Sequence, residues 1–217
     1  MLLDITAIRP SSYAAIFTFT SCIIVLIAFS TPYWLASDGY SHLKRFRNLG
    51  LWEACFYYFE DPYLRYDIQY RGCRWILDED LYFLAFFLRP PFFVATQTLY
   101  TLGFVFLLLA VIGVLAIQLC FVVDKEMYAM RVLSIIMFLS ALFCTTACII
   151  FGIKGDDRDW MPDPEHNYLS WSFALAVVGV FFQWMASILF WVENRILYKK
   201  ELKKQNSFDM EQTATKS

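Results

Sequence analysis

The residues of this chain best placed to do covalent chemistry are its cysteines, and their spacing sorts them by task. Cys55 and Cys73 share one segment between two apolar stretches, just behind Gly50-Leu51-Trp52 and after Trp34. Thiols so placed pair readily where the segment faces an oxidising compartment, which favours a structural disulfide over two buried free thiols. No Cys-x-x-Cys pair accompanies them, so redox catalysis is not indicated. Cys144 and Cys148 extend, with Ser140 and Gly152, into a small-residue stripe along one face of an apolar helix. Such a stripe lets a neighbouring helix approach closely, and packing is its leading reading ahead of metal or redox chemistry. Cys120 stands just before Asp124-Lys125 and reads first as a thiol in lipid or core; palmitoylation, open to a cysteine at a membrane edge, is the alternative.

Other chemistry finds little to work with. The two histidines, His42 and His166, are far apart in sequence, and neither sits in metal-ligand spacing. A Gly-x-Ser-x-Gly elbow, a dinucleotide fingerprint and a phosphate loop are all missing. No enzyme, cofactor, metal or small-molecule substrate is therefore expected. Net charge is −2 and the basic residues are scattered, which gives no support to nucleic-acid binding.

The elements that must position these cysteines are membrane helices. The 217 residues are 59% hydrophobic and 18% charged, against about 45–50% and about 25% in a soluble domain. Four apolar stretches reach the roughly 20 residues that a bilayer requires, and each is apolar all round. The chain divides into an N-terminal segment 1–12, spans 13–31, 97–123, 130–153 and 170–192, outer loops 32–96 and 154–169, an inner loop 124–129 and a tail 193–217. Ala28-Phe29-Ser30 resembles a signal cleavage site, but the apolar run before it is longer than a signal core, so the first span is kept. Lys and Arg divide evenly between the two sides. The basic cluster from Arg195 to Lys204, directly after the fourth span, weighs most and places both termini in the cytoplasm. Inside the spans the notable polar residues are Gln97, Gln118 and Gln183, read as inter-helix hydrogen-bonding groups. Buried charge is lacking there, which makes a transporter improbable. Residues after Gln205 read as disordered.

The long first loop is rich in Tyr, Phe, Trp and Ile and reads as strands over His42–Arg47, Leu51–Phe59 and Leu64–Trp75, with a turn at Glu60-Asp61-Pro62. Cys55 and Cys73 then fall on neighbouring antiparallel strands. Trp34 and Trp52 suit the headgroup level, where they tie the sheet to the helix ends. Asp78 to Phe87 reads as a short helix. In the second loop, Trp160-Met161-Pro162 reads as an exposed apolar contact for a partner. The acidic residues Asp156, Asp157, Asp159, Asp163 and Glu165 around it read first as a plain solvated loop; the alternative is a filter that favours cations where the loop faces a narrow aqueous gap.

These residues resemble the claudin superfamily of tetraspan proteins, which includes claudins, peripheral myelin and epithelial membrane proteins, and calcium-channel gamma subunits. The family pattern is Trp, then Gly-Leu-Trp-x-x-Cys, then Cys, and here it reads Trp34, Gly50-Leu51-Trp52, Cys55 and Cys73. Trp171-Ser172-Phe173 is similar to a stretch of the gamma-type members. The wide interval between the cysteines, and an end Thr215-Lys216-Ser217 without the hydrophobic residue that PDZ domains take, fit divergent claudin-like tetraspans of invertebrate septate junctions. The resemblance implies an all-α membrane four-helix bundle with a small extracellular antiparallel β-sheet. It also implies a role in junction assembly and the paracellular barrier, at lateral cell contacts. The expected partners are the lipid bilayer and other junction membrane proteins in cis and trans, the chain itself included. An auxiliary subunit of an ion channel or receptor, and a myelin-type adhesion protein, are the alternatives.

Overall fold

In the computed structural model the described residues are 10–38, 45–60, 69–120, 126–155, 157, 160–161 and 164–215. Helix α1 runs over Pro10–Ser30, with proline at its first position, where a missing N–H costs nothing. Strands β1 (Leu35–Ser37), β2 (Arg45–Leu49), β3 (Glu53–Glu60) and β4 (Gln69–Trp75) follow. A 3-10 turn over Glu79–Leu84 leads into the short helix α2 (Ala85–Leu88). Then come helix α3 (Pro91–Cys120), helix α4 (Glu126–Lys154), strand β5 (Asn167–Leu169) and helix α5 (Trp171–Thr215).

Helices α1, α3, α4 and α5 are long and apolar enough to cross a membrane. They pack as a ring in which α3 meets α4, α4 meets α5 and α5 meets α1, with a thinner α1–α3 contact closing it. The facing residues are small where helices approach. Ala14, Ala28, Ala110, Ala141, Ala147, Ala176 and Ala186 are all buried, while Ile16, Ile112, Ile149 and Phe181 point outward. In lipid, water gives no hydrophobic drive between helices, so close backbone approach and packing must hold the ring together.

On one end of the ring lies a five-stranded antiparallel sheet in the order β4-β3-β2-β1-β5. The three expected strands are present, the second starting at Glu53 because Leu51 and Trp52 belong to the turn before it; His42, Asp61 and Pro62 lie outside the described residues. Two further strands, β1 and β5, had no forecast. Each has only three residues, and they pair with each other at Leu35↔Leu169 and Ser37↔Asn167. The second loop is thereby hydrogen-bonded into the sheet of the first.

Two expectations need correcting. The chain after Gln205 is not disordered: α5 continues to Thr215 as one helix, exposed from Tyr198 through Gln212. Its Glu, Lys and Gln residues favour helix as well as water, and the helix already begun in the bundle removes the cost of nucleation. Trp160-Met161 is not an exposed tip. Met161 is buried, and the Trp160 ring packs against Phe92 at 4.8 Å and Phe93 at 5.8 Å, because the top of the bundle offers it an aromatic pocket. Pro162 lies outside the described residues.

Candidate functional site

Strand register brings Cys55 opposite Cys73, and the two form a disulfide joining β3 to β4. Glu53 lies close by, so that its carboxylate and the two sulfurs fall within 4.8 Å of one another. Sulfurs bonded to each other offer no thiolate to a metal, and the group is a cross-link beside a carboxylate. Its loop of separation 18 would constrain the unfolded chain by about 3 kcal/mol.

The Gly50-Leu51-Trp52 turn is shaped by the end of α1. A Cβ on Gly50 would stand 2.5 Å from Pro32 Cα and 2.6 Å from the Thr31 carbonyl oxygen, both backbone atoms that cannot swing aside. Only glycine fits there. Leu51 is buried, and its carbonyl accepts a hydrogen bond from Gln97 Nε2 on α3. Gln97 therefore joins a helix to the sheet. Trp52 is half-buried between Phe29, at 5.4 Å, and Trp75, at 6.1 Å.

Trp34 is the hub: it ties the sheet to the helix ends, as expected, but from inside the protein. Its side chain is completely buried. The ring meets Tyr100 of α3 at 5.1 Å, Phe151 of α4 at 5.0 Å and Phe173 of α5 at 5.6 Å, edge-on in each case. Its indole Nε1 donates to the Ala28 carbonyl at 2.7 Å. Its backbone N–H donates to Leu49, and its carbonyl accepts from Ser170. One residue thus touches all four spanning helices, β2 and the start of α5. Trp171-Ser172-Phe173 joins this centre: Ser172 Oγ lies 2.6 Å from Thr31 Oγ1, and Phe173 packs on Trp34. At the far end of β1, His166 Nδ1 and Asp38 Oδ2 are 2.9 Å apart, and the Asp38 N–H donates to the His166 carbonyl.

The outer face of the sheet is unusually aromatic. Between Phe56↔Gly72 and Phe59↔Tyr70 the register slips by one, so Tyr57 and Tyr58 together oppose Arg71. This is a β-bulge, and Tyr58 takes a positive φ of 51° to make it. A regular strand would turn one tyrosine inward; the bulge leaves both exposed. The Arg71 guanidinium sits 4.9 Å over the Tyr58 ring, and Trp75 and Leu77 extend the apolar surface.

The small-residue stripe faces two neighbours. Ser140 Oγ donates to the Gly103 carbonyl of α3 at 2.8 Å, and Cys144 Sγ fills the space that a Cβ on Gly103 would need, 2.4 Å away. Gly152 lies against Phe173 of α5, and Gln183 Nε2 of α5 donates to Cys144 Sγ at 3.7 Å. Cys148 is buried on the same face. Gly103 was missed in the sequence; a glycine inside an apolar span is the signal that marks it. Gln118 points out of the bundle, and Cys120 ends α3 with its side chain outside the described residues.

Four long apolar helices, a stapled sheet at one end and Trp34 buried at their junction make up one architecture. The PMP-22/EMP/MP20/Claudin tight-junction family model matches residues 19–192. The chain belongs to this family. It is a claudin-like tetraspan, a multi-pass membrane protein of a junction-type family whose members serve structural roles. Comparison with curated proteins finds no match.

Proposed function

We propose that this claudin-like chain is a component of cell–cell junctions of the septate or tight type, where it helps to assemble the junction and restricts diffusion between cells. The observation that carries the reading is the exposed aromatic face of Tyr57, Tyr58 and Trp75 on a sheet held rigid by a disulfide and by the bundle. Each such ring can bury about 150–250 Å² against a partner, and a preformed sheet loses little entropy when it does so. The partners are other junction membrane proteins, or further copies of this chain, beside it in the same membrane and across the gap.

The sheet lies outside the cell and both termini inside. Two features support that orientation: a disulfide on the sheet side, which an oxidising space maintains, and the basic run Arg195–Lys204 beyond the opposite end of the bundle. The experiment is a mixed culture of cells that do and do not express the tagged protein. Concentration at contacts between two expressing cells is the expected result. Uniform staining, with co-purification of a large pore-forming chain, would overturn the junction reading in favour of an auxiliary channel subunit.

A further inference from the structure

Toward the end of the bundle away from the sheet, the surfaces of α4 and α5 form a groove of about 410 Å³ where the two helices meet, within the size range of small-ligand sites. Its floor is a reciprocal pair: Ser134 Oγ donates to the Ser187 carbonyl, and Ser187 Oγ to the Ser134 carbonyl, both at 3.2 Å. These short side chains hold the helices close and use their own hydroxyl protons, so the floor offers none to a polar guest. The walls are Ile135 and Phe138 from α4 and Trp184, Ile188 and Trp191 from α5. Trp184 is fixed by donating to Thr145 Oγ1 at 3.0 Å and by meeting Phe138 edge-on at 5.5 Å. The groove is preformed and apolar, and it lies within the apolar stretches of both helices.

Charge identifies the guest. Arg131 is exposed one helical turn before Ile135, and Arg195 is exposed one turn beyond Trp191. The Arg195 guanidinium sits 5.2 Å over the Trp191 ring, which holds it at the edge of the groove. The helices are antiparallel, and Asn194 Nδ2 donates to the Met127 carbonyl at 2.7 Å, a register that sets the two arginines at the same end of the groove. Lys199 continues the Arg195 stripe, while Glu193 is buried on another face of α5 and Glu126 is about 140° round α4 from Arg131. The exposed rings of Tyr128 and Tyr198 mark this as headgroup depth. A basic mouth on an apolar intramembrane groove matches one molecule that carries both an acyl chain and an anion.

We propose that the α4–α5 groove binds one anionic membrane phospholipid, with an acyl chain along Phe138, Trp184 and Ile188 and the phosphate between Arg131 and Arg195. Arginine suits the phosphate because its planar fork can donate two parallel hydrogen bonds. The site is independent of the sheet and of the junction reading.

Native mass spectrometry of the full chain, exchanged from detergent into phosphatidylglycerol or phosphatidylcholine, tests this. The wild type is expected to retain one phosphatidylglycerol in preference to phosphatidylcholine. Arg131→Gln with Arg195→Gln should cut the preference by about thirty-fold, the combined effect of two basic groups near the surface. Lys203→Gln with Lys204→Gln, farther along the tail, should leave it in place. Ile188→Trp, on the exposed wall, should reduce retention of both lipids by filling the groove. All these side chains are exposed, and a melting curve for each variant checks its fold. Undiminished preference in the arginine variant, an equal loss in the tail variant, or unchanged retention in Ile188→Trp would each overturn the proposal. So would an Ile188→Cys cross-link to a second copy with lipid retention unaffected.

Discussion

Replacing Trp34 by phenylalanine isolates a single hydrogen bond at the centre of the molecule. Helix α1 ends at Ser30, and the residue that should donate to the Ala28 carbonyl, four positions on, is Pro32, which has no N–H. Ala28 is completely buried, so water cannot take the donor's place. The Trp34 indole supplies it, at 2.7 Å. Phenylalanine keeps aromatic contact with Tyr100, Phe151 and Phe173 but strands the carbonyl, at about 1–3 kcal/mol. The smaller ring leaves a void that adds about 1 kcal/mol. For a chain of this size the sum of about 2–4 kcal/mol lowers Tm by about 4–15 °C. Trp171→Phe is the control. Trp171 is 46% exposed and packs against Tyr33 at 5.3 Å, a contact phenylalanine preserves, so the change should stay within about 0.5 kcal/mol. Thermal unfolding of both variants in mild detergent reads the difference. If Trp34→Phe melts within about 2 °C of the wild type, the Ala28 carbonyl has no need of the indole and the reasoning fails.

Other consequences follow from the same geometry. Cys55→Ser, Cys73→Ser and the double variant should each lose about 3 kcal/mol, since all three break one cross-link; a double variant much weaker than either single would contradict the pairing in a thermal melt. Gly50→Ala drives a Cβ into the backbone of Thr31 and Pro32, at 2.6 Å and 2.5 Å. Overpacking of that kind costs about 1–3 kcal/mol, and surface biotinylation should record fewer molecules reaching the plasma membrane. Gly103→Ala collides with Cys144 Sγ at 2.4 Å and comes within 3.0 Å of the Cys144 nitrogen and the Ser140 carbonyl oxygen, so adding Cys144→Ala should recover part of the lost melting temperature. Strict additivity of the two changes would mean that they do not meet.

The spans were legible because a bilayer imposes length and apolarity on them, and the strands carrying Cys55 and Cys73 because aromatic, β-prone runs are long enough to register. Strands β1 and β5 were not. Leu35-Ala36-Ser37 and Asn167-Tyr168-Leu169 are too short to carry a pattern, and each exists only because the other lies beside it across most of the chain. The complete burial of Trp34 was hidden for a similar reason. Its amphipathic ring suits an interface, and the need for its donor arises from a proline two residues earlier once the chain has folded back. Trp160 and Met161 looked exposed in an acidic loop because Phe92 and Phe93, which cover Trp160, are distant in sequence. The exposed aromatic surface was legible in composition but not in form. Both Tyr57 and Tyr58 face outward only through the bulge opposite Arg71, and no residue type announces that slip in register.

Tracer exclusion across an epithelium depleted of this protein tests the central claim most directly. The layer should leak, wild-type protein should restore the barrier, and Tyr57→Ala/Tyr58→Ala/Trp75→Ala should reach the lateral membrane and fail to restore it. A depleted layer that excludes tracer as well as an untreated one, or a triple variant that restores exclusion in full, would contradict the account.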